Sequence, residues 1–379
     1  MTFKSSPIPF GKSDLFSLGV EVELQIIQPE SRNLHPISPD ILQEWSLTGP
    51  HLKPEIFQSM LEIDTPICKS VQEVEAELLL TSRELWRICQ KNGVRLAANG
   101  THPFARWQNR IFYPAERYQH LVERNQHIAR RLMIYGLHVH LGMKDGDHCI
   151  EMMNEFLYYL PHMLALSASS PYWTGQDTGL SSSRITVFEA HPAGGHPCRV
   201  ENWQNFEDIV GKLLHSKSIE SFKDIWWDIR PSPNYGTLEI RICDGVPGIR
   251  RTSRLVAFIH LLARHIQKRL DQGKSRPLPA DWMIRENKWR ASRHGLDAEI
   301  LLDNEGSTKP VREDILDLIA EMTEDCSLLG YDQYIQDLMD LDMKNPSYQQ
   351  QRDVFSKNES LQDVVDYLCE TFEKDLDVV

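Results

Sequence analysis

The amino-acid sequence predicts an α+β fold with a curved, largely antiparallel sheet. Strand-like runs occur along most of the chain and are separated by long helical patterns. The segment Pro231–Gly236 is a strong turn signal between two strand-like runs and predicts a β-hairpin. Strands mixed with long helices, with hairpins present, favour an antiparallel or mixed sheet over a parallel βαβ arrangement.

The first third of the chain alternates strand and helix signals. Glu21 and Glu23 alternate with apolar residues, as expected for a strand, and Ser70 followed by Glu73 fits a helix capping box. Gly93 suits the residue that follows a helix. The predicted elements are a strand over 16–28, a short helix over 38–45, extended structure over 56–67, a helix over 70–92 and a strand over 94–98.

The same periodicity and capping criteria, applied to the rest of the chain, predict further helices and strands and an acidic helical region at the end. The predicted helices cover 114–132, 147–167, 203–215, 250–271 and the region from about 311 to 379. The predicted strands cover 136–142, 185–188, 222–230 and 237–243. The helix over 114–132 carries Arg117, Arg124, Arg130 and Arg131, which are expected to form a solvated face.

Composition limits the classes of function. The chain has 379 residues, without an internal repeat or an obvious linker, so one domain over 1–379 is expected. A net charge of −13 with no basic run argues against nucleic acid as a partner. No window approaches the roughly 20 apolar residues of a membrane span. Seven scattered cysteines without a CxxC pair, and a start without a long apolar stretch, indicate reduced thiols in the cytoplasm.

Several predicted strands carry ionisable residues with a spacing of two. Glu21 and Glu23 share one face of their strand, and His138 and His140 share one face of theirs. Glu239 and Arg241 repeat the pattern, and two more glutamates, Glu55 and Glu62, flank the extended segment. Because unpaired glutamate is costly to bury in a sheet, the pattern predicts a polar site lined by strands.

Clustered carboxylates with a histidine suggest a divalent metal site. Mg²⁺ and Mn²⁺ prefer oxygen ligands, and five carboxylates exceed what one such ion takes from protein. Two or more ions commonly neutralise a polyphosphate, and Arg241 would stabilise the transferred phosphoryl group. A zinc site built on the histidines, or a solvated strand face, stays open from these residues alone. No Walker loop, dinucleotide loop or Gly-x-Ser-x-Gly elbow is present.

Two more arginines are candidates for binding. Arg184 follows three serines, and a guanidinium there suits a substrate carboxylate. Arg230 stands at a strand end before the rigid turn, a position where binding groups often lie, and is predicted to bind the cofactor. The polar and aromatic segment 285–293 is interpreted either as closing over a nucleotide or as capping a helix.

Seven segments together resemble the type 2 glutamate–cysteine ligase family, whose members are often described as carboxylate–amine ligases. The resemblance covers the chain from about residue 14 to the C-terminal helices and implies a glutamine-synthetase-like fold with helices outside the sheet. It also implies that ATP phosphorylates a carboxylate and that an amine displaces the phosphate. The segments are GVEVELQII, SMLEIDTPIC, NGTHPFARWQ, YGLHVHLG, SSSR, WDIRPSPNYGTLEIRICD and RENKWRASRHGLDA.

The resemblance also implies roles for individual residues. One metal would be held by Glu21, Glu55 and Glu62, and a second by Glu23, His140 and Glu239, with Glu21 and Glu239 able to bridge. Arg241 would contact the transferred phosphate, and Arg184 the substrate carboxylate. The implied cofactors are ATP and Mg²⁺, with Mn²⁺ as an alternative ion.

Three hypotheses stay open at this point. The first is an ATP-dependent ligase whose partners are small molecules, an amino-acid carboxylate and an amine; cysteine is one candidate amine. The second is a metal-dependent amidohydrolase on the same fold, and the third is a non-catalytic regulator with a nucleotide pocket. The first and second differ in Arg241 and Arg184, which hydrolysis does not require. No membrane partner is expected, and homo-oligomerisation stays open.

Overall fold

The structure is a computed structural model that describes residues 7–48 and 52–377. Its main sheet has seven antiparallel strands. The strand order is β10-β11-β5-β1-β3-β2, and β4 pairs with the end of β1. These strands are β1 Leu18–Ile27, β2 Leu52–Pro54, β3 Met60–Asp64, β4 Arg95–Ala97, β5 Leu137–Gly142, β10 Ile229–Ser232 and β11 Thr237–Ile240. The predicted fold class, α+β with a largely antiparallel sheet, is confirmed.

Three further two-stranded pairs lie outside the main sheet: β6 Tyr172–Trp173 with β7 Gln176–Asp177, β8 Gly194–Gly195 with β9 Trp226–Trp227, and β12 Glu299–Leu301 with β13 Thr308–Pro310. The helices are α1 Ser38–Glu44, α2 Val71–Lys91, α3 Glu116–Asn125, α4 His127–Arg130, α5 Gly146–Phe156, α6 Leu160–Ser167, α7 Arg184–Phe188, α8 Trp203–His215, α9 Ile249–Asp271, α10 Asp281–His294, α11 Val311–Glu321, α12 Thr323–Leu329, α13 Asp332–Asp337, α14 Ser347–Asn358 and α15 Leu361–Asp375.

The strand register separates an apolar face from a polar face. Directly opposed residues lie on the same face, and Val22 opposes Ile63 while Val20 opposes Val139. The helices α2, α5 and α9 pack against the sheet on the side of these apolar residues, which are almost completely buried. The residues between them in sequence therefore point to the opposite face of the sheet.

The hairpin between β10 and β11 is confirmed and turns through a short 3₁₀ segment, Pro233–Tyr235. Gly236 follows with φ +65°, and a Cβ there would clash with the backbone of Gly11. Gly11 in turn donates a 2.7 Å hydrogen bond from its N–H to the carbonyl of Pro233. Glycine is therefore required at 236 both for its backbone conformation and for this close contact.

Some predicted elements were wrong. The segment 185–188 is not a strand but lies in helix α7, because its hydrogen bonds to the preceding serines override the β-branched residues. The predicted strand over 222–230 is divided into a 3₁₀ turn and two short strands by Asp228, which points into the protein interior. The predicted helix over 114–132 breaks at Gln126, which has φ +46°.

The C-terminal region is helical, as predicted, and it returns to the main sheet. Helix α15 packs against β4, where Arg95 forms a 2.6 Å ion pair with Glu373. These contacts support the expectation of one domain, which stays a prediction. Among the described residues no helix is long and apolar enough to cross a bilayer. Residues 1–6, which contributed to the expectation about the start of the chain, lie outside the described residues.

Candidate active site

The polar face of the sheet lines a cavity of about 350 Å³. Every predicted site residue lines it. Most lie on β1, β3, β5, β10, β11 and α7, whereas Glu55 directly follows β2 and Arg241 directly follows β11. Strand register explains the convergence, since Glu23 opposes Glu62, Glu239 opposes His140, and Arg230 opposes Glu239. The predicted residues in the lining are Glu21, Glu23, Glu55, Glu62, His140, Arg184, Arg230, Glu239 and Arg241.

Three overlapping groups of possible ligand atoms occur in this cavity. Within each group the atoms lie within 4.8 Å of one another. The groups are Glu21 with His140 and Glu239, Glu21 with Glu62 and His138, and Glu23 with Glu55 and Glu62. Compared with the sets implied by the family resemblance, Glu21 and Glu23 exchange places, because Glu23 lies on the side of Glu55 and Glu21 on the side of His140.

The two histidines of β5 both contact Glu21. Its Oε2 lies 3.0 Å from His138 Nδ1, and its Oε1 lies 3.3 Å from His140 Nε2. The other ring nitrogen of His140, Nδ1, lies 2.9 Å from the hydroxyl of Thr237. Burial, together with the charge of Arg241, lowers the pKa of His138 to about 4 and keeps the ring neutral at pH 7. Within the described residues its buried Nε2 has no hydrogen-bond partner, so a lone pair is available there to a cation.

Two arginines hold Glu239 as an anion. Arg230 contacts it with two nitrogens, Nε at 2.9 Å and Nη2 at 3.3 Å, and Arg241 contacts it through Nη1. Burial alone would raise the pKa of Glu239, but the charges of Arg230 and Arg241 outweigh it and lower the pKa below its usual range. A fully buried carboxylate is thus kept ionised at neutral pH.

The carboxylates on the other side of the cavity have the opposite electrostatics. Burial and the charge of Glu55 raise the pKa of Glu23 to about 8. Burial and the charge of Glu21 raise the pKa of Glu62 well above its usual value. These side chains repel one another, and a divalent cation between them would remove the repulsion. The donor set of carboxylate oxygens and a neutral imidazole therefore fits Mg²⁺ or Mn²⁺.

Arg184 extends from the start of α7 and is 2% exposed. In the described part of the chain the side-chain hydrogen bonds of Arg184 go to backbone carbonyls, from Nη2 to Arg241 at 3.2 Å and from Nη1 to Ile242 at 3.3 Å. Its Nε is buried and has no hydrogen-bond partner among those residues. The Phe188 ring centroid lies 5.4 Å from the Arg184 guanidinium carbon and 6.0 Å from that of Arg241. Arg184 is thus a buried cation positioned to bind an anionic ligand.

The sequence did not identify several residues of the cavity. Lys53 on β2 opposes Glu62 and pairs with it at 3.4 Å, and it also pairs with Asp64. Arg117, expected on a solvated face, is exposed and also lines the cavity, as does Tyr118 beside it. Asp64 had a sequence signal, because it follows Glu62 with the same spacing of two. Lys53 had no such signal, because its strand, β2, has only three residues, too few to show an alternating pattern.

An antiparallel sheet that gathers carboxylates, histidines and arginines in one cavity defines an enzyme of the carboxylate–amine ligase class. The chain belongs to glutamate–cysteine ligase family 2, whose model matches residues 17–366. A relative from Bdellovibrio bacteriovorus is 77% identical over 376 residues, covering 99% of this chain and 100% of the relative. One from Thermobifida fusca is 40% identical over 370 residues, covering 96% and 93%. Both bear the provisional name glutamate–cysteine ligase 2.

Solved structures show the same fold at low sequence identity. A glutamate–cysteine ligase from Francisella tularensis in complex with AMP has a TM-score of 0.71 and 12% identity, and the match covers 97% of this chain and 90% of that one. A bifunctional glutathione synthetase from Pasteurella multocida has a TM-score of 0.67 and 13% identity, covering 96% and 53%. The fold therefore extends over nearly the whole chain.

Adding Mg²⁺ should raise the thermal midpoint of the protein, measured by differential scanning fluorimetry. A cation bound between the carboxylates of the native state stabilises it, and saturating Mg²⁺ should add roughly 2–5 °C. Glu62→Gln, which removes one negative charge from two of the three groups, should reduce this gain. The exposed Glu370→Gln is the control and should retain it. An equal gain in both variants would contradict a metal site at this cluster.

Proposed function

We propose that this protein is an ATP-dependent carboxylate–amine ligase that forms a γ-glutamyl amide through an acyl phosphate, with glutamate–cysteine ligation as the specific candidate. The observation that carries the proposal is the cavity in which a carboxylate cluster faces the guanidiniums of Arg184, Arg230 and Arg241, with Arg117 as a fourth arginine in the lining. Family membership and the relatives' names support it. Its partners are then small molecules, an amino-acid carboxylate and an amine, and the cytoplasm is the proposed location.

The proposal assigns Mg²⁺, or Mn²⁺, to the carboxylate cluster. Glu23, Glu55 and Glu62 would hold one ion, and Glu21, His140 and Glu239 would hold another. Bound there, the ions would neutralise phosphate charge and orient the terminal phosphoryl group for in-line transfer. His138 hydrogen-bonds Glu21 through Nδ1, and its neutral ring leaves the lone pair of Nε2 as a further possible ligand.

The two sides of the cluster suit different parts of the substrates. On the side of Glu21 and His140 an apolar cavity of about 520 Å³ opens between Ile67 and Tyr235, which suits a nucleoside. On the other side Arg184 and Arg117 supply guanidiniums, which suit the substrate carboxylates. The reacting carboxylate and the terminal phosphate of ATP would then meet between the two sides.

Arg241 and Arg230 act on charge within this arrangement. Arg241 extends toward Glu239 from the end of β11, and its buried Nε has no hydrogen-bond partner in the part of the chain that the structure describes. This Nε can therefore donate to a phosphoryl oxygen as negative charge develops. Arg230 holds Glu239 with two nitrogens and hydrogen-bonds the carbonyls of Lys223 and Ile225, which fixes its orientation. The attacking amine must be neutral, and the cavity must exclude water because an acyl phosphate hydrolyses.

The amidohydrolase alternative gains no support. Hydrolysis needs one activated water and does not require three guanidiniums next to a carboxylate cluster. The family to which the chain belongs is a family of ligases.

Amine-dependent release of ADP tests the proposed function. Purified protein is incubated with ATP, Mg²⁺ and glutamate, and with each member of a panel of amino acids and amines, cysteine included. The expected result is ADP formation that needs both glutamate and one amine, with the matching amide detected by mass spectrometry. Amide hydrolysis without ATP, or no ADP release with any amine, would overturn the proposal.

Replacing Glu239 by glutamine should abolish turnover without unfolding the protein. A neutral amide cannot supply the negative charge that Arg230, Arg241 and a bound cation share at this position. ADP release should fall at least about a hundredfold. The circular dichroism spectrum should stay that of the folded protein, although loss of the ion pairs with Arg230 and Arg241 lowers the thermal midpoint. Activity within about tenfold of wild type, about 1.4 kcal/mol of barrier, would exclude this role for Glu239.

Arg241→Lys should lower kcat more than it changes the KM for ATP. Lysine keeps the positive charge but loses the planar fork that matches phosphate oxygens, and the contact matters most as charge develops. Steady-state kinetics of ADP release measure both constants. Arg254→Lys is the matched control, because Arg254 is equally buried and pairs with Asp342 far from the cavity. Equal effects of the two variants would contradict a role for Arg241 in the reaction.

A further inference from the structure

Helix α10 contains the whole polar segment 285–293, which the site does not use. Two of its residues, Lys288 and Ser292, are one helical turn apart and therefore lie on the same face. They are 2% and 3% exposed, which is unusual for a lysine. Lys288 contacts Glu189, which follows α7, and Asp228, whereas Ser292 contacts the serines that precede α7.

Lys288 joins two carboxylates from different parts of the chain. Its Nζ lies 2.8 Å from Oδ1 and 2.6 Å from Oδ2 of Asp228, and 2.6 Å from Oε1 of Glu189. Asp228 is completely buried, so its charge depends on Lys288. Glu189 is about half exposed and directly follows α7.

Asp228 connects this ion pair to Arg241. The backbone carbonyl of Asp228 accepts a 2.8 Å hydrogen bond from the N–H of Arg241, and its own N–H donates one of 2.8 Å to the carbonyl of Gly195. The position of the Arg241 backbone at the end of β11 therefore depends on where Lys288 holds Asp228.

The same face of α10 holds both ends of α7. At the start of α7, the carbonyl of Ser292 accepts hydrogen bonds from the N–H groups of Ser181 and Ser182 at 2.8 and 3.0 Å, and the Ser292 hydroxyl donates to the carbonyl of Ser182 at 2.8 Å. At the other end, Glu189 is held by Lys288. Helix α7 has only five residues, so these anchors determine where Arg184 and Phe188 lie.

We propose that Lys288 is a positioning residue that holds Arg184 and Arg241 in the orientation required for ligation. It acts through Glu189, which fixes α7, and through Asp228, which fixes the backbone of Arg241. The expected effect on the rate rests on the proposed function. A displaced guanidinium would stabilise less well the negative charge that develops during ligation. A displacement of about 1 Å in such a group costs up to about a hundredfold in rate.

Glu189→Ala is the primary test, because it breaks the link to α7 at a half-exposed residue and leaves the Asp228 ion pair intact. We expect kcat for ADP release to fall by about tenfold to a hundredfold while the KM for ATP stays within about twofold. The matched control is Glu286→Ala. Glu286 pairs with Arg290 at 2.7 Å, also on α10, and is 41% exposed against 43% for Glu189. The control should have the wild-type kcat.

Lys288→Met is the stronger variant, but it leaves the buried Asp228 without its cation and lowers stability. Pairing it with Asp228→Asn removes both charges, and the double variant should again lower kcat while the KM for ATP is unchanged. Lys309→Met, which removes contacts to Asp314 and Asp317 outside the site, should leave kcat unchanged.

Crystal structures of the wild type and Glu189→Ala separate this proposal from the proposed function. A shift of about 1 Å or more in the guanidiniums of Arg184 or Arg241 supports it. Unchanged guanidiniums overturn it, whether or not kcat falls, and so does a kcat within twofold of wild type. If the wild-type protein has no ligase activity, the proposed function fails, and the crystallographic comparison alone decides whether Lys288 positions the arginines.

Discussion

The register of β1 against its neighbours is the constraint on which the site depends. Glu21 opposes both His138 and Asp64, and Glu23 opposes Glu62, so each ionisable side chain of β1 lies beside others on the same face. A shift by one residue would bury these charges against the helices and expose Val20 and Val22 to the cavity. Burial of the apolar face thus fixes the positions of the charges on the other face.

The charges within the cavity are distributed unevenly, and the unevenness follows from where the arginines lie. Near Glu239, two guanidiniums compensate one carboxylate and keep it ionised. Near Glu62, burial and the neighbouring carboxylates raise the pKa of Glu62, and Lys53 pairs with it. The carboxylate at the Glu239 end of the cavity is therefore compensated by guanidiniums, whereas the Glu62 end has an excess of carboxylates that a cation would neutralise.

Two of the three wrong element predictions concern segments that contact α10. The segment 185–188 has β-branched residues, yet it is helical, and Ser181 and Ser182 anchor its start to Ser292 of α10. Asp228 interrupts a predicted strand because its carboxylate is needed by Lys288 in the interior. In both places a contact with α10, distant in sequence, outweighs local preference. The local sequence predicts a segment least well where contacts with residues distant in sequence fix its conformation. Here those segments, α7 and the residues around Asp228, support the guanidiniums of Arg184 and Arg241.

By itself the sequence determined the sheet, its antiparallel hairpin and the identity of nine of the residues that line the cavity. It could do so because the spacing of two in a strand places side chains on one face regardless of context. Only the tertiary structure decided how these residues group: that Glu23 lies with Glu55 and Glu62, that Glu21 lies with His140 and Glu239, that Lys53 pairs with Glu62, and that Lys288 pairs with Asp228 and Glu189. Those facts depend on pairing between strands and helices that are far apart in sequence, and spacing within one segment carries no information about such pairing.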